Sequence, residues 1–342
     1  MHAERAAGVA SALGAGLCWG LVFVAPVMLP DAHPVALSLG RYLAFGLIAL
    51  LLAWPARKAL RALQHADWHE ALRLALIGNL LYYALLAGAI QLAGVPLPTL
   101  LIGTLPVVIA ITANLQQREI AWAKLWPSLL AIGAGIALVH RSEAGAGLSQ
   151  APVAGGLLAL GAVICWTWYP IRNARWLKAH SQHSAATWAT AQGLATLPLA
   201  LLGSLIAGLI WIFLGPETGA VNASAAITDL TPPAPAPDQR MPWGSQPWAF
   251  VGLMLAIGLL ASWLGTLLWN QAAQRLPTSL GGQLIVFETL SALAYGYLWR
   301  GQSPDGLSMV GILLLCIGVS LGVRSITRDT LRSPGRSNQS SH

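Results

Sequence analysis

Most of this chain consists of apolar runs that are long enough to cross a lipid bilayer. Charged residues make up 9% of the sequence and hydrophobic residues 56%, whereas roughly 25% of a soluble globular domain is charged. A membrane-crossing helix needs roughly 20 mostly apolar residues, and a helix satisfies its own backbone hydrogen bonds inside lipid. The sequence therefore predicts an all-α integral membrane protein that has the lipid bilayer as its surroundings.

Prolines and short polar breaks divide the apolar runs into ten predicted transmembrane spans. By the length that a span requires, they cover about residues 6–29, 34–54, 72–93, 96–115, 124–140, 152–172, 185–213, 248–271, 277–298 and 307–324. Inside a span, a proline kinks the helix and leaves backbone groups available near a cavity. We expect such kinks at Pro26, Pro106, Pro170 and Pro198.

The basic residues predict the orientation of the spans, because cytoplasmic loops are enriched in Lys and Arg. With a cytoplasmic N-terminus, the outer loops hold Arg141, Arg240 and Arg300, and the inner loops hold most of the others, including Arg57, Lys58, Arg61, Arg73, Arg118, Lys124, Arg172, Arg175, Lys178, Arg275 and Arg324. We therefore expect both termini in the cytoplasm. The formal charge of +7 then reflects membrane topology, and we expect no nucleic-acid partner.

An internal repeat divides the spans into two halves. The segment Leu13–Trp19 returns as Leu160–Trp166, and Ile77-Gly78 returns as Ile257-Gly258. We expect a first five-helix repeat at 1–145, a second at 146–325 with an inserted external loop at about 215–247, and a disordered cytoplasmic tail at 326–342. Five spans are an odd number, so the second half enters the membrane from the opposite side. Inverted repeats of this kind are typical of transporters, with the binding site between the halves.

Short motifs in this order resemble the drug/metabolite transporter superfamily, EamA type. They are Cys18-Trp19 and Cys165-Trp166, Arg41-Tyr42, Leu105-Pro106-Val107, Glu119, the glycine-rich stretch 133–138 and Phe287-Glu288-Thr289. Thr289 and Gln302 depart from that family's usual residues. The resemblance implies a carrier of small metabolites in the bacterial inner membrane, often an exporter of amino acids, and it leaves the substrate unnamed.

Two charged residues are the leading candidates for binding or coupling. Glu288 lies near mid-membrane in the ninth span, where an ionisable group normally faces a cavity or a partner. It either carries a proton or a substrate amine, or it is a structural carboxylate bound to a neighbouring hydroxyl or to Arg41. Arg41 either binds a substrate carboxylate or extends to the lipid headgroups. Together the two residues would suit the charged ends of a zwitterion.

Aromatic and amide side chains complete the predicted site. Trp19 and Trp166 are related by the repeat, and they either stack on a substrate, with cation–π contact, or pack between helices. The other candidates are polar or aromatic side chains within spans, for which interhelical hydrogen bonding is the alternative role; they are Asn79, Tyr83, Trp263 and Gln283. The cluster His65, Asp67, His69 and Glu70 is expected on a solvated surface.

The sequence has no Walker, Gly-x-Ser-x-Gly, His-Glu-x-x-His or Rossmann motif, so we expect neither an enzyme nor a bound cofactor or metal. Our first hypothesis is proton-coupled export of a small metabolite, an amino acid first, by alternating access. The alternatives are an exporter of cationic drugs or other metabolites, and a membrane sensor or assembly partner that has lost transport. An intramembrane enzyme or lipid-handling protein is a further alternative, which would need nucleophile and base residues grouped near a membrane surface. Ten spans can enclose a path, so a monomer and a homodimer both fit.

Overall fold

The computed structural model describes residues 2–23, 28–29, 32–93, 96–117, 120–143, 152–214, 242–301 and 303–332. Pro26, Glu119, Gln302, most of the predicted external loop (215–241) and the end of the predicted tail (333–342) lie outside the described residues. The part of the chain that the structure describes is helical with connecting turns and contains no strand.

Within the described residues, fourteen α-helices follow the predicted spans. They are α1 (His2–Gly20), α2 (Pro34–Arg61), α3 (His65–Leu74), α4 (Tyr82–Ala93), α5 (Pro96–Gly103), α6 (Leu105–Gln117), α7 (Trp122–Glu143), α8 (Pro152–Ala179), α9 (Ala185–Leu214), α10 (Pro247–Ile257), α11 (Gly265–Arg275), α12 (Thr278–Leu284), α13 (Val286–Arg300) and α14 (Gly306–Arg332). Helix α14 extends past residue 326, where the tail was predicted to begin.

Among the described residues, six helical segments are long and apolar enough to cross a membrane by themselves. They are Val35–Arg61, Trp122–Val139, Val153–Ala179, Ala185–Phe213, Pro247–Arg275 and Gly306–Arg324. Their outer faces carry exposed apolar side chains, as on α9 with Leu201, Leu205 and Ile212. Such a surface is stable in lipid and not in water. The all-α membrane class is therefore confirmed, and the remaining predicted spans consist of shorter or interrupted helices.

The interruptions occur at matching places in the two halves of the sequence. A π-helical segment, Ala75–Leu81, joins α3 to α4, and another, Gly258–Leu264, joins α10 to α11. Helices α5 and α6 are separated at Thr104, next to Pro106, and α12 and α13 are separated at Ile285. In contrast, Pro170 and Pro198 lie within the uninterrupted helices α8 and α9. A local break therefore occurs next to Pro106, and the kinks expected within α8 and α9 at Pro170 and Pro198 stay predictions.

The helices also pack in matching pairs. Helix α1 packs on α11 and α13 of the second half, and α8 packs on α4 and α6 of the first half. Helix α2 packs on α9, and α7 packs on α14. The largest buried core joins both halves, with Trp19 and Ile109 from the first and Val163 and Trp269 from the second.

One end of the bundle, which we call the basic end, carries Arg73, Arg172, Lys178 and Arg275. At this end α1 contacts the second half through an ion pair in which Arg275 Nε lies 3.4 Å from Glu4 Oε2. Trp166, one of the predicted site residues, also lies on α8, on the N-terminal side of Arg172.

Candidate functional site

An aromatic cluster lies where the two halves meet. The rings of Trp19 and Trp166 pack edge to face, 5.6 Å apart at an interplanar angle of 82°. Trp269 lies 5.4 Å from Trp19, and Tyr82 and Tyr169 each lie 5.9 Å from Trp166. These five residues form the central aromatic cluster. The repeated Cys-Trp pairs thus contribute tryptophans that contact each other.

Small residues permit this close packing. A Cβ atom added to Gly265 would lie 2.7 Å from Trp19 Nε1, so the α1 tryptophan requires glycine at the start of α11. Within the cluster, Trp269 is 4% exposed and its Nε1 has no hydrogen-bond partner among the described residues. Since a buried unpaired donor is costly, this N–H is a group that a ligand in the cluster could satisfy.

Glu288 lies in the first turn of α13, just after the break at Ile285. Helix α1 packs closely here, because a Cβ atom at Gly16 would lie 3.0 Å from the backbone nitrogen of Glu288. The residue is half-buried, and its carboxylate makes no hydrogen bond or ion pair with the described residues. The N-terminal end of a broken helix favours negative charge. Glu288 is thus an interior carboxylate with capacity to bind a proton or a cation.

Arg41 lies on α2, close enough for its charge to act on Glu288, although the two side chains form no ion pair. Its Nε donates a hydrogen bond of 2.9 Å to Ser262 Oγ in the second π-helical segment, and its guanidinium lies 5.4 Å from the Tyr42 ring centre. Tyr82, a member of the central aromatic cluster, lies within electrostatic range of both Arg41 and Glu288. The two opposite charges therefore lie beside the central aromatic cluster.

The other predicted candidates lie in different surroundings. Trp263 Nε1 donates to Thr190 Oγ1 at 3.2 Å, and Asn79 Nδ2 donates to Thr196 Oγ1 at 3.4 Å. Tyr83 is half-buried and lies within electrostatic range of Arg41. Gln283 is fully buried and bonds Ser128 and the backbone oxygen of Ser279, away from Glu288. The structure thus groups Glu288, Arg41, Trp19, Trp166 and Tyr83, and it gives the amides separate partners.

Contacts across the basic end were not expected from the sequence. Glu70 on α3 accepts two hydrogen bonds from Arg172 on α8, at 2.5 and 3.1 Å, and Asp67 accepts one from Trp176 Nε1 at 3.0 Å. Asp67 and Glu70 are 5% and 6% exposed. The expectation of a solvated cluster is therefore wrong for these two carboxylates, because α8 covers them and supplies their donors.

A second buried network connects three helices of the second half. Asn173 Oδ1 accepts hydrogen bonds from Trp188 Nε1 at 2.8 Å and Gln192 Nε2 at 3.1 Å, and Asn173 Nδ2 donates to Asn270 Oδ1 at 2.8 Å. Tyr169 of the aromatic cluster donates to Gln192 Oε1 at 2.8 Å. Through this network α8, α9 and α11 are joined directly below the cluster.

The described residues offer no metal site, since no three His, Cys, Asp or Glu side chains are grouped for one. Cys18, Cys165 and Cys316 are separate free thiols. The described side chains at the site can form ion pairs, hydrogen bonds and aromatic stacking contacts.

Known proteins with similar sequences point to membrane transport. The chain matches the sequence profile of the EamA-like transporter family over residues 6–141 and 234–324. The inner membrane protein YtfF of Escherichia coli K12 is 47% identical over 326 residues, which are 93% of this chain and 95% of that protein. The threonine/homoserine exporter RhtA of the same strain is 28% identical over 222 residues, 64% of this chain and 60% of the exporter.

A solved crystal structure shares the fold. Its TM-score is 0.68, and the match covers 96% of this chain and 100% of that one. Because the two sequences are 19% identical, the likeness concerns the arrangement of helices.

Proposed function

This chain belongs to the EamA-like transporter family, and we propose that it exports a small zwitterionic metabolite, with an amino acid as the first candidate, by proton-coupled alternating access. The family match and the similar proteins support the assignment of this chain as a multi-pass inner-membrane transporter of a small molecule. The substrate, the direction and the coupling ion are our proposals.

We propose that ten spans form two inverted five-helix repeats, at 1–145 and 146–325, with the basic end in the cytoplasm. The matching helix breaks and the matching helix pairs support this arrangement. The concentration of Lys and Arg at one end supports the orientation. Transporters of this architecture bind substrate at the repeat interface, where discontinuous helices end near mid-membrane.

The observation that carries the proposal is the Glu288 carboxylate, which has no partner among the described residues and lies near Arg41 and the tryptophans that join the halves. A zwitterion fits these charges, with its ammonium at Glu288 and its carboxylate at Arg41. A proton and the ammonium compete for Glu288, so protonation from the outside releases the substrate there. Return of the protonated carrier then brings one proton inward for each substrate exported.

Alternating access requires contacts that break at one end. We propose that the Glu70–Arg172 and Asp67–Trp176 contacts close the cytoplasmic side. They join α3 of the first half to α8 of the second, so movement of one repeat against the other separates them. The buried Asn173 network lies within one half and moves as a unit.

Export of organic cations is the second candidate function. The Trp19 and Trp166 faces can attract a cation, and Glu288 supplies the opposite charge without any need for Arg41. The two candidates therefore differ in what they require from Arg41.

The deciding experiment is counterflow in proteoliposomes that contain the purified protein. The first probes are L-threonine and L-homoserine, the solutes for which the exporter relative is named, and an organic cation such as tetraphenylphosphonium. Accumulation of a labelled amino acid against its unlabelled form supports the proposal. Absence of counterflow with every solute in a broad panel would favour the sensor or assembly role.

Replacing Arg41 by glutamine should separate the two substrate classes. A charged hydrogen bond contributes about 1.5–3 kcal/mol, so we expect the KM for a zwitterion to rise about 10- to 100-fold. Transport of an organic cation should change little. The matched control is Arg57→Gln, since Arg57 is exposed and lies over Trp54, away from the cluster. Equal losses for both solute classes would contradict the carboxylate role of Arg41.

Replacing Glu70 by glutamine should favour opening at the basic end. Arg172 is 44% exposed, so solvent screens the pair and we expect a loss of about 0.5–1 kcal/mol, or about a 2- to 5-fold shift toward the open state. The measurement uses a cysteine-free variant with spin labels at the exposed positions His69 and Gln182. Opening would appear as a larger population of long distances between the two labels. Glu4→Gln is the control. Identical distance distributions in the wild type and in Glu70→Gln would contradict the gate.

A further inference from the structure

A groove between α6 and α8 is separate from the central aromatic cluster. Its volume is about 370 Å³, in the range of small-ligand sites. It lies on the outer side of α8, where Ile164 is 68% exposed and continues a stripe of exposed apolar side chains with Leu157 and Leu160. In a membrane protein such a stripe contacts acyl chains, so the groove opens toward lipid.

The groove changes from basic to apolar along its length. Arg172 and Arg175 line it near the end of α8, and Val163 and Ile164 line it toward mid-membrane. At a helical rise of 1.5 Å per residue, Arg175 and Ile164 are about 16 Å apart along the axis. This gradient matches a phospholipid, whose headgroup and acyl chain are arranged in the same order.

A buried hydroxyl lies between these two regions. Thr167 lines the groove, and the residue is 8% exposed. Its Oγ1 is buried and has no hydrogen-bond partner among the described residues. An unpaired hydroxyl in apolar surroundings is costly. Thr167 lies about 8 Å from Arg172 along the helix axis, toward mid-membrane. In a phospholipid, the ester groups likewise lie deeper in the membrane than the phosphate.

The mouth of the groove is positively charged. Arg172 is paired with Glu70, whereas Arg175 bonds the neutral Gln116 and has no carboxylate within ion-pair distance in the described parts of the chain. Basic pockets between transmembrane helices on the cytoplasmic side are suited to anionic headgroups.

We propose that this groove binds an anionic phospholipid of the cytoplasmic leaflet. The phosphate lies at Arg175 and Arg172, and Thr167 donates to an ester carbonyl. The first part of one acyl chain lies along Val163 and Ile164. A transported solute is a poorer occupant because the groove opens to lipid, on the face of α8 opposite the tryptophan cluster.

Quenching of Trp168 fluorescence tests the proposal, because Trp168 lines the groove. The full-length protein is reconstituted in phosphatidylcholine vesicles that contain brominated phosphatidylglycerol or, separately, brominated phosphatidylcholine. The difference between wild type and Trp168→Phe isolates the Trp168 signal from the other tryptophans. We expect phosphatidylglycerol to quench this signal at a lower mole fraction than phosphatidylcholine.

Arg175→Gln should reduce that headgroup preference about fivefold, since one basic residue near an anionic surface contributes about that factor. Thr167→Val should weaken the binding of both lipids and keep the ratio of their affinities. Arg57→Gln should change neither the affinities nor their ratio. Three results would overturn the proposal. They are equal quenching by both lipids, an unchanged headgroup preference in Arg175→Gln, and a loss of preference in Arg57→Gln as large as in Arg175→Gln. Relief of quenching by soluble L-threonine would assign the groove to the solute and would also overturn it.

Discussion

Replacing Glu288 by glutamine is expected to abolish transport driven by a proton gradient. Glutamine keeps the shape of the side chain but neither ionises nor pairs with an ammonium group. A charged hydrogen bond contributes about 1.5–3 kcal/mol, so we expect the rate of gradient-driven export to fall at least about tenfold. The protein should remain folded, because the carboxylate has no partner among the described residues whose loss would cost stability.

The measurement uses proteoliposomes with an imposed pH gradient and a labelled amino acid, together with a thermal melt. Glu4→Gln is the control, since Glu4 is 73% exposed in its ion pair and such pairs contribute little to stability. Counterflow without a gradient separates the two roles of Glu288. If counterflow survives in Glu288→Gln while coupling is lost, the residue carries protons alone. Normal gradient-driven export with unchanged pH dependence would remove Glu288 from the mechanism.

The sequence predicted the class of the fold and the segments that are helical. Runs of apolar residues require helices in lipid, and where the structure describes the chain each predicted span coincides with one or more observed helices. The repeat also indicated that Trp19 and Trp166 have equivalent surroundings, and in the structure they contact each other. The ten-span count, the inversion of the halves and the roles of the site residues stay predictions.

Other features lack a local signal in the sequence. A π-helical segment changes the hydrogen-bond pattern of a few residues without requiring a particular composition, so the interruptions at Ala75–Leu81 and Gly258–Leu264 were not predicted. Asp67 and Glu70 have the pattern of a polar surface, and their donors Trp176 and Arg172 are more than a hundred residues away in the chain. Burial of such a pair depends on which helices become neighbours.

Gln283 illustrates the limit of predicting a site from residue types. It lies one turn before Glu288 in the sequence, and a polar side chain at that depth suggests a cavity. Ile285 separates α12 from α13, and Gln283 bonds Ser128 on α7 instead. The polar lining of a carrier and the polar contacts between its helices have the same composition, and packing distinguishes them.

The second large effect is expected on stability, from replacing Asn173 by leucine. Asn173 is fully buried and makes hydrogen bonds with Trp188, Gln192 and Asn270. Leucine of similar size leaves these three polar groups without a partner, and each unsatisfied group costs about 1–3 kcal/mol in water-soluble proteins, less in membranes. We expect the free energy of unfolding to fall by about 2–4 kcal/mol, measured by unfolding in mixed micelles of rising SDS fraction.

The same substitution at Asn79 is the matched control for this effect. Asn79 makes a single long hydrogen bond of 3.4 Å to Thr196, so Asn79→Leu should lower the free energy of unfolding by less than about 1 kcal/mol. A large difference between the two variants would indicate that the Asn173 network fastens α8, α9 and α11 into the rigid unit that alternating access requires. If the variants unfold alike, the network adds no net stability, and the second half would have to move by internal rearrangement of these helices.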